Sequence, residues 1–302
     1  MSLRARILKK ALPRLMSGWA DGTVAEQRAR QEKSSGLARV PADVNCRIVS
    51  ANGVPGEWIE PPAVQAGTQA GVILYLHGGA YALNSVDSHR EWIARLARAT
   101  GTQSLAINYR LAPEDPFPAA LEDTLTAYRW LMAQGIDPAR MLIAGDSAGG
   151  GLAAAALLAL RDGGDPLPAG AILLSPWLDL TLGEASHHDR AAADPILSPG
   201  ILHKYAILYA GDQDLRAPLL SPLFGNLAGL PPLLIQAGTD EVLLDDARAF
   251  AQKAEAAGVP VTLGLWDGLF HVFQMFGFLP ETKQATAQIA EFAATVLASP
   301  DA

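Results

Sequence analysis

From residue 71 to residue 298, short apolar runs alternate with longer amphipathic ones, and this alternation leaves few folds open to the chain. The apolar runs are "GVILYLHGG", "TQSLAINYR", "RMLIAGD", "AGAILLSP", "PPLLIQAGTD" and "VPVTLGLW". Runs so poor in polar positions need cover on both faces, as parallel strands have. Among them lie "DSHREWIARLARATG", closed by Gly101, and "AALEDTLTAYRWLMAQG", ending at Gly135. "AGGGLAAAALLALRDGG", "LLDDARAFAQKAEAAG" and the closing "PETKQATAQIAEFAATVLAS" have the same helical length and period. A hairpin of edge-like strands precedes them, "VNCRIVS" and "GEWIEP" turning at Asn52-Gly53. The expectation is an α/β fold over residues 1–302, a mostly parallel central sheet with helices on both faces. With 50% hydrophobic and 18% charged residues, the chain has enough apolar side chains for that core.

Two stretches fall outside the alternation, residues 1–43 and roughly 178–224. Long excursions between sheet strands usually serve as lids or binding loops. The first opens "MSLRARILKKALPRLMSGWA", with five basic residues and no acidic one. Its apolar stretches are too short for a signal-peptide core, and no run approaches the roughly 18 apolar residues of a membrane span. An amphipathic segment packed on the domain and interrupted at Pro13 is expected; attachment to a membrane surface is the alternative. A net charge of −8 argues against nucleic-acid partners. Cys46 is the single cysteine, which excludes an internal disulfide, fits a reducing compartment and makes a cytoplasmic location the expectation.

The chemistry concentrates at "GDSAGG", residues 145–150, between a strand and a helix. Gly145-Asp146-Ser147-Ala148-Gly149 fits G-x-S-x-G, the strained turn that presents a nucleophilic serine in α/β-hydrolases. Small neighbours let the strand and the following helix come close, and the helix N-terminus favours a developing negative charge. "HGGA" at 77–80 ends the first buried strand, so Gly78 and Gly79, with Ala148, are the expected oxyanion donors. His77 precedes the nucleophile and is read as holding its loop. In this fold the order is serine, acid, histidine. Asp240, at the end of "PPLLIQAGT", is the expected acid, and His271 in "WDGLFHVF" the base. Glu241, Asp245 and Asp246 are read as a solvated helix start. His187, His188 and His203 lack metal-ligand spacing, so no metal is expected.

"LHGGAY", "YRLAPEDPFPAALED", "GDSAGG", "SPWLDL", "DPILSP", "GTDEVLLDDA" and "GLFHVFQMF" run in this order from residue 76 to 276. Together they resemble the bacterial hormone-sensitive-lipase family of α/β-hydrolases. The resemblance implies a carboxylic ester hydrolase acting on a small-molecule ester, with triad Ser147, Asp240 and His271 and no cofactor. It also implies a helical cap built from about 1–43 and 178–224. Ala80 departs from the third glycine of most relatives, which lowers the weight given to it as a substrate neighbour. Arg110, Glu114 and Asp146 are read as braces. Trp19, Ala80, Tyr81, Trp177, Tyr205, Phe270 and Phe273 are candidate pocket walls, short to medium acyl chains the expected substrates, and a homodimer is left open. An amidase or lactonase with the same machinery is the rival reading; a silent receptor on this fold would be expected to lack the histidine.

Overall fold

The computed structural model describes residues 1–35, 40–62 and 71–298; residues 36–39 of the 1–43 stretch lie outside them. Eight strands of the described residues form one sheet: β1 (Asn45–Ala51), β2 (Val54–Glu60), β3 (Val72–Leu76), β4 (Gln103–Ile107), β5 (Met141–Asp146), β6 (Gly170–Leu174), β7 (Leu233–Gly238) and β8 (Val261–Trp266). The order is β1-β2-β4-β3-β5-β6-β7-β8. The hairpin strand β2 runs antiparallel to β1 and β4, and from β4 to β8 every pairing is parallel.

Because strand side chains alternate, each buried strand feeds two cores. On β3, Ile73 and Tyr75 join one cluster and Leu74 and Leu76 the other. The first face is covered by α3 (Val86–Thr100) and α9 (Pro280–Leu297). The second is covered by α4 (Ala119–Ala133), α5 (Ala148–Gly163) and α8 (Leu244–Ala256). α3 is amphipathic, opens with a Ser85/Ser88 capping box and stops at Gly101 in the left-handed region.

The two irregular stretches lie toward the carboxyl ends of the strands, where open α/β sheets place their sites. Residues 1–35 form α1 (Leu3–Leu15) and α2 (Val24–Ser35). α1 runs through Pro13, contrary to the expected interruption. The proline sits in the last turn, where its missing N–H removes one bond close to the helix end, and Met16 N–H to Leu12 O (2.8 Å) closes the turn. The 178–224 stretch carries α6 (Ser186–Asp189) and α7 (Pro199–Ala210).

Candidate active site

β5 delivers Asp146 and then Ser147, whose backbone is at φ +54°, ψ −122°, a region unfavourable to a residue with a Cβ. The turn is held from both sides. Ser147 N–H donates to Leu174 O at 2.8 Å, and Trp177 N–H donates to Ser147 O at 3.0 Å. Its sharpness depends on absent side chains: a Cβ on Gly149 would lie well inside contact distance of the Leu76 carbonyl. Ser147 caps α5 and so stands over the helix's positive end.

Ser147 Oγ lies 3.0 Å from His271 Nε2, and His271 Nδ1 lies 3.0 Å from Glu241 Oε2. The structure therefore differs from the expectation at the acid. Asp240 N–H is tied to Leu269 O (2.9 Å), and its carboxylate points outward to Lys9 of α1. Glu241, one residue on, folds back with no exposed surface, and its Oε1 accepts Gly238 N–H at 3.0 Å. Neither Glu241 nor Asp246 belongs to a solvated helix start, since both are fully buried. Asp246 accepts Leu178 and Asp179 N–H (2.7 and 2.9 Å) and faces buried His187 at 2.8 Å. Asp194, unassigned from the sequence although it lies in "DPILSP", accepts Val242 N–H at 2.9 Å and steadies the turn beside Glu241.

A carboxylate only accepts, so Nδ1 of His271 carries the proton and Nε2 is left to accept from Ser147. Burial alone would push this imidazole down. The Glu241 hydrogen bond and charge, with Asp194 and Asp146 beyond, overcome that and hold His271 above its ordinary 6.5.

At the "HGGA" loop the structure alters a second expectation. Gly78 N–H donates to Asp146 Oδ1 at 3.0 Å and is spent on holding the loop. Gly79 and Ala80 line the cavity instead, at φ +127° and +52°. A Cβ on Gly79 would collide with the Leu83 carbonyl, so glycine is required there. Asp146 is the hub of the brace: Tyr75 OH donates to it (2.8 Å), Trp92 Nε1–H donates to Tyr75 OH (2.9 Å), and His89 Nε2 lies 3.3 Å from its second oxygen. Burial would raise the Asp146 carboxyl, but His89 and these bonds hold it below its usual value. His89, Tyr75 and Trp92 were silent in the sequence because they are ordinary helix and strand core positions. His77 is buried, stacks on Tyr109 at 4.4 Å and lies 2.8 Å from Gly78 O through Nδ1; burial, then His89, lower it to about 4. Arg110 bonds Asp123 and Glu122, and Glu114 pairs with Arg28 of α2.

Ser147 and His271 open into a cavity of about 310 Å³. Leu12, Met16 and Trp19 enter it from the N-terminal segment, and Leu197, Ile201 and Leu202 from the 178–224 stretch. Of the expected pocket walls, Trp19 and Ala80 line it. Tyr81, Trp177, Tyr205, Phe270 and Phe273 do not; all are core, at most 1% exposed. Tyr81 stacks on Tyr209 at 3.7 Å, Trp177 Nε1–H donates to Asp179 O (3.1 Å), Tyr205 OH bonds Gln27, and Phe270 and Phe273 pack with Ala5 and Leu12. Proximity in sequence to the motifs put these aromatics near the site but could not say which way each ring turns.

A family model described as the alpha/beta hydrolase fold matches residues 73–275. An acetyl-hydrolase of Streptomyces hygroscopicus is 47% identical over 273 residues, covering 90% of this chain and 88% of that protein. An esterase of Acinetobacter venetianus is 42% identical over 259 residues, covering 84% and 83%. The crystal structure of an esterase from the bacterial hormone-sensitive lipase family superposes with a TM-score of 0.93 at 44% identity, covering 98% of this chain and 99% of that one. The chain belongs to the α/β-hydrolase family. Within it, the protein is one of the hormone-sensitive-lipase-like enzymes, a carboxylic ester hydrolase by class.

Proposed function

We propose that the protein is a serine carboxylesterase working through an acyl-enzyme on Ser147, with Glu241 as the acid of its triad. The observation that carries this is the unbroken relay from Ser147 Oγ through His271 to Glu241, 3.0 Å at each step, at the floor of an apolar cavity. His271 takes the serine proton as Oγ attacks the ester carbonyl, and Glu241 stabilises the imidazolium that results. The amides of Gly79, Ala80 and Ala148 are the candidate donors to the oxyanion. The C–O bond of the tetrahedral adduct then breaks, His271 gives its proton to the leaving alcohol, and water repeats the sequence on the acyl-enzyme. α1 with the turn that follows it, α2 and the 178–224 stretch act as the cap: Leu12, Met16 and Trp19 on one side and Leu197, Ile201 and Leu202 on the other close the cavity over the serine, and α2 adds Gln31 to its lining.

The test is an activated aryl acetate with wild type and Ser147→Ala. A burst of phenol equal to the enzyme concentration is expected, and the variant loses about 10³-fold or more in kcat while remaining folded. An unchanged kcat in the variant overturns the reading. Matched ester, amide and lactone substrates separate the esterase from an amidase or lactonase with the same relay, and the ester is expected to be the fastest.

A further inference from the structure

α1 has a second face. Ala5 and Leu12 are buried beneath it, yet Leu3, Ile7 and Leu15 stand 64%, 61% and 71% exposed. At about 100° per residue these three fall within roughly a third of the helix circumference. Of the eight large apolar side chains exposed among the described residues, these are three, and Phe278 is a fourth near the helix. Phe278 belongs to the patch because Arg4 of α1 donates to its carbonyl at 3.2 Å. Single exposed apolar residues are ordinary, but a contiguous group on one side marks a contact surface.

The same face is cationic. Arg4, Lys10 and Arg14 interleave with the apolar row, in a chain whose net charge is −8. Beside the row, Arg6, Lys9 and Lys10 border a cleft of about 400 Å³ against residues 192–195. Among the described residues, Arg6, Lys10 and Arg14 make no salt bridge, so their charge is open to an external anion. The patch also communicates with the catalytic cavity: the Phe278 ring lies 6.3 Å from that of Phe276, which lines the cavity, and Leu12 and Met16 line it from this N-terminal segment.

We propose that α1 docks the enzyme onto an anionic phospholipid surface. Leu3, Ile7 and Leu15 enter the interface, and Arg4, Lys10 and Arg14 meet the headgroup phosphates, the arrangement of an amphipathic helix lying in the membrane plane. A second copy of the same face would bring like charges together, and a nucleic acid would leave the apolar row in water. Delivery of a membrane-held ester into the cavity rests on the esterase reading; the docking itself does not.

The experiment sediments Ser147→Ala with vesicles of phosphatidylglycerol and phosphatidylcholine, so binding is read without turnover. Binding is expected to the mixed vesicles at low salt, to be lost at high salt, and to be absent with phosphatidylcholine alone. Arg4→Gln/Lys10→Gln/Arg14→Gln should weaken partition on the order of a hundredfold, about fivefold for each charge. Leu3→Ser/Ile7→Ser/Leu15→Ser should abolish it while leaving hydrolysis of soluble p-nitrophenyl butyrate unchanged. No sedimentation at low salt, or sedimentation that both triple variants retain, overturns the proposal. So does a dimer in solution that the serine triple variant dissociates, which would give the patch to a second copy. A wild type that turns over no ester while Ser147→Ala still sediments would sink the esterase reading and leave the docking standing.

Discussion

Asp240 and Glu241 are adjacent acids with opposite surroundings, and two substitutions separate them. Glu241→Gln puts an amide where His271 Nδ1 needs an acceptor. Its NH₂ can turn the imidazole to the wrong tautomer, and kcat should fall by about 10³- to 10⁴-fold. Asp240→Asn loses only a partly exposed pair with Lys9, worth about 1 kcal/mol or less; kcat should stay within a few-fold of wild type. If Asp240→Asn is as impaired as Glu241→Gln, the assignment of the acid is wrong. The pH profile carries the same logic. His271 must be neutral to take a proton, and its surroundings hold its pKa above the ordinary 6.5. The raised value means the proton leaves only at higher pH, so kcat/KM should climb with pH through an inflection above 6.5. In the residual activity of Glu241→Gln burial acts without its counter-charge, and the inflection should drop. An inflection at or below 6.5 in the wild type would contradict the part given to Glu241. His77 cannot be the source of this limb, since it is held near 4.

α2 is held to the fold by polar contacts. Its Arg28 donates to Ala82 O and Ala112 O, both at 2.7 Å, and to Glu114 at 2.9 Å. Gln31 Oε1 accepts Asn84 N–H at 3.1 Å. Both reach the loop that begins at His77 and presents Gly79 and Ala80 to the cavity. Arg28→Ala removes the donors that satisfy two carbonyls of that region, and the loop should lose its setting. Steady-state kinetics on a small ester should give kcat lower by about tenfold, because small displacements of an oxyanion donor are costly. Arg28→Lys should recover only part of this, having no planar fork to bridge two carbonyls. Wild-type kinetics in both variants would reduce α2 to a passive cover. No signal in "VAEQRARQEKSS" announces the role, because the partners are carbonyls, which sequence does not mark.

Across the whole molecule, the cavity is closed by segments far apart in the chain, with Leu12 of α1 and Ile201 and Leu202 of α7 lining it beside Ser147. At about 310 Å³ it stands at the small end of ligand pockets, which run from about 300 Å³ upward. With p-nitrophenyl esters, kcat/KM should peak at short acyl chains and fall as the chain outgrows the space. Ile201→Ala opens the wall contributed by α7. The ratio of kcat/KM for octanoyl over butyryl ester should then rise about tenfold, the scale set by a few methylenes in an apolar pocket. A ratio that does not move would place the acyl chain elsewhere.

What the sequence determined is whatever local pattern and chain order carry. Short unbroken apolar runs and the 3.6-residue pattern marked the buried strands and the helices around the sheet, because burial on both faces of a strand and one face of a helix selects side chains residue by residue. The elbow at Ser147 was legible because its strained turn demands glycines at fixed offsets, and His271 because it follows the last strand. What only the tertiary structure decided is direction. Whether Asp240 or Glu241 turns inward depends on the Leu269 carbonyl that pins the one and the Gly238 amide that receives the other. Whether Gly78 N–H serves the cavity depends on an Asp146 oxygen 68 residues away. Tyr81, Trp177, Tyr205, Phe270 and Phe273 turn into the core for the same kind of reason. Composition fixes that such side chains are buried; which space they are buried into is set by packing between segments remote in sequence.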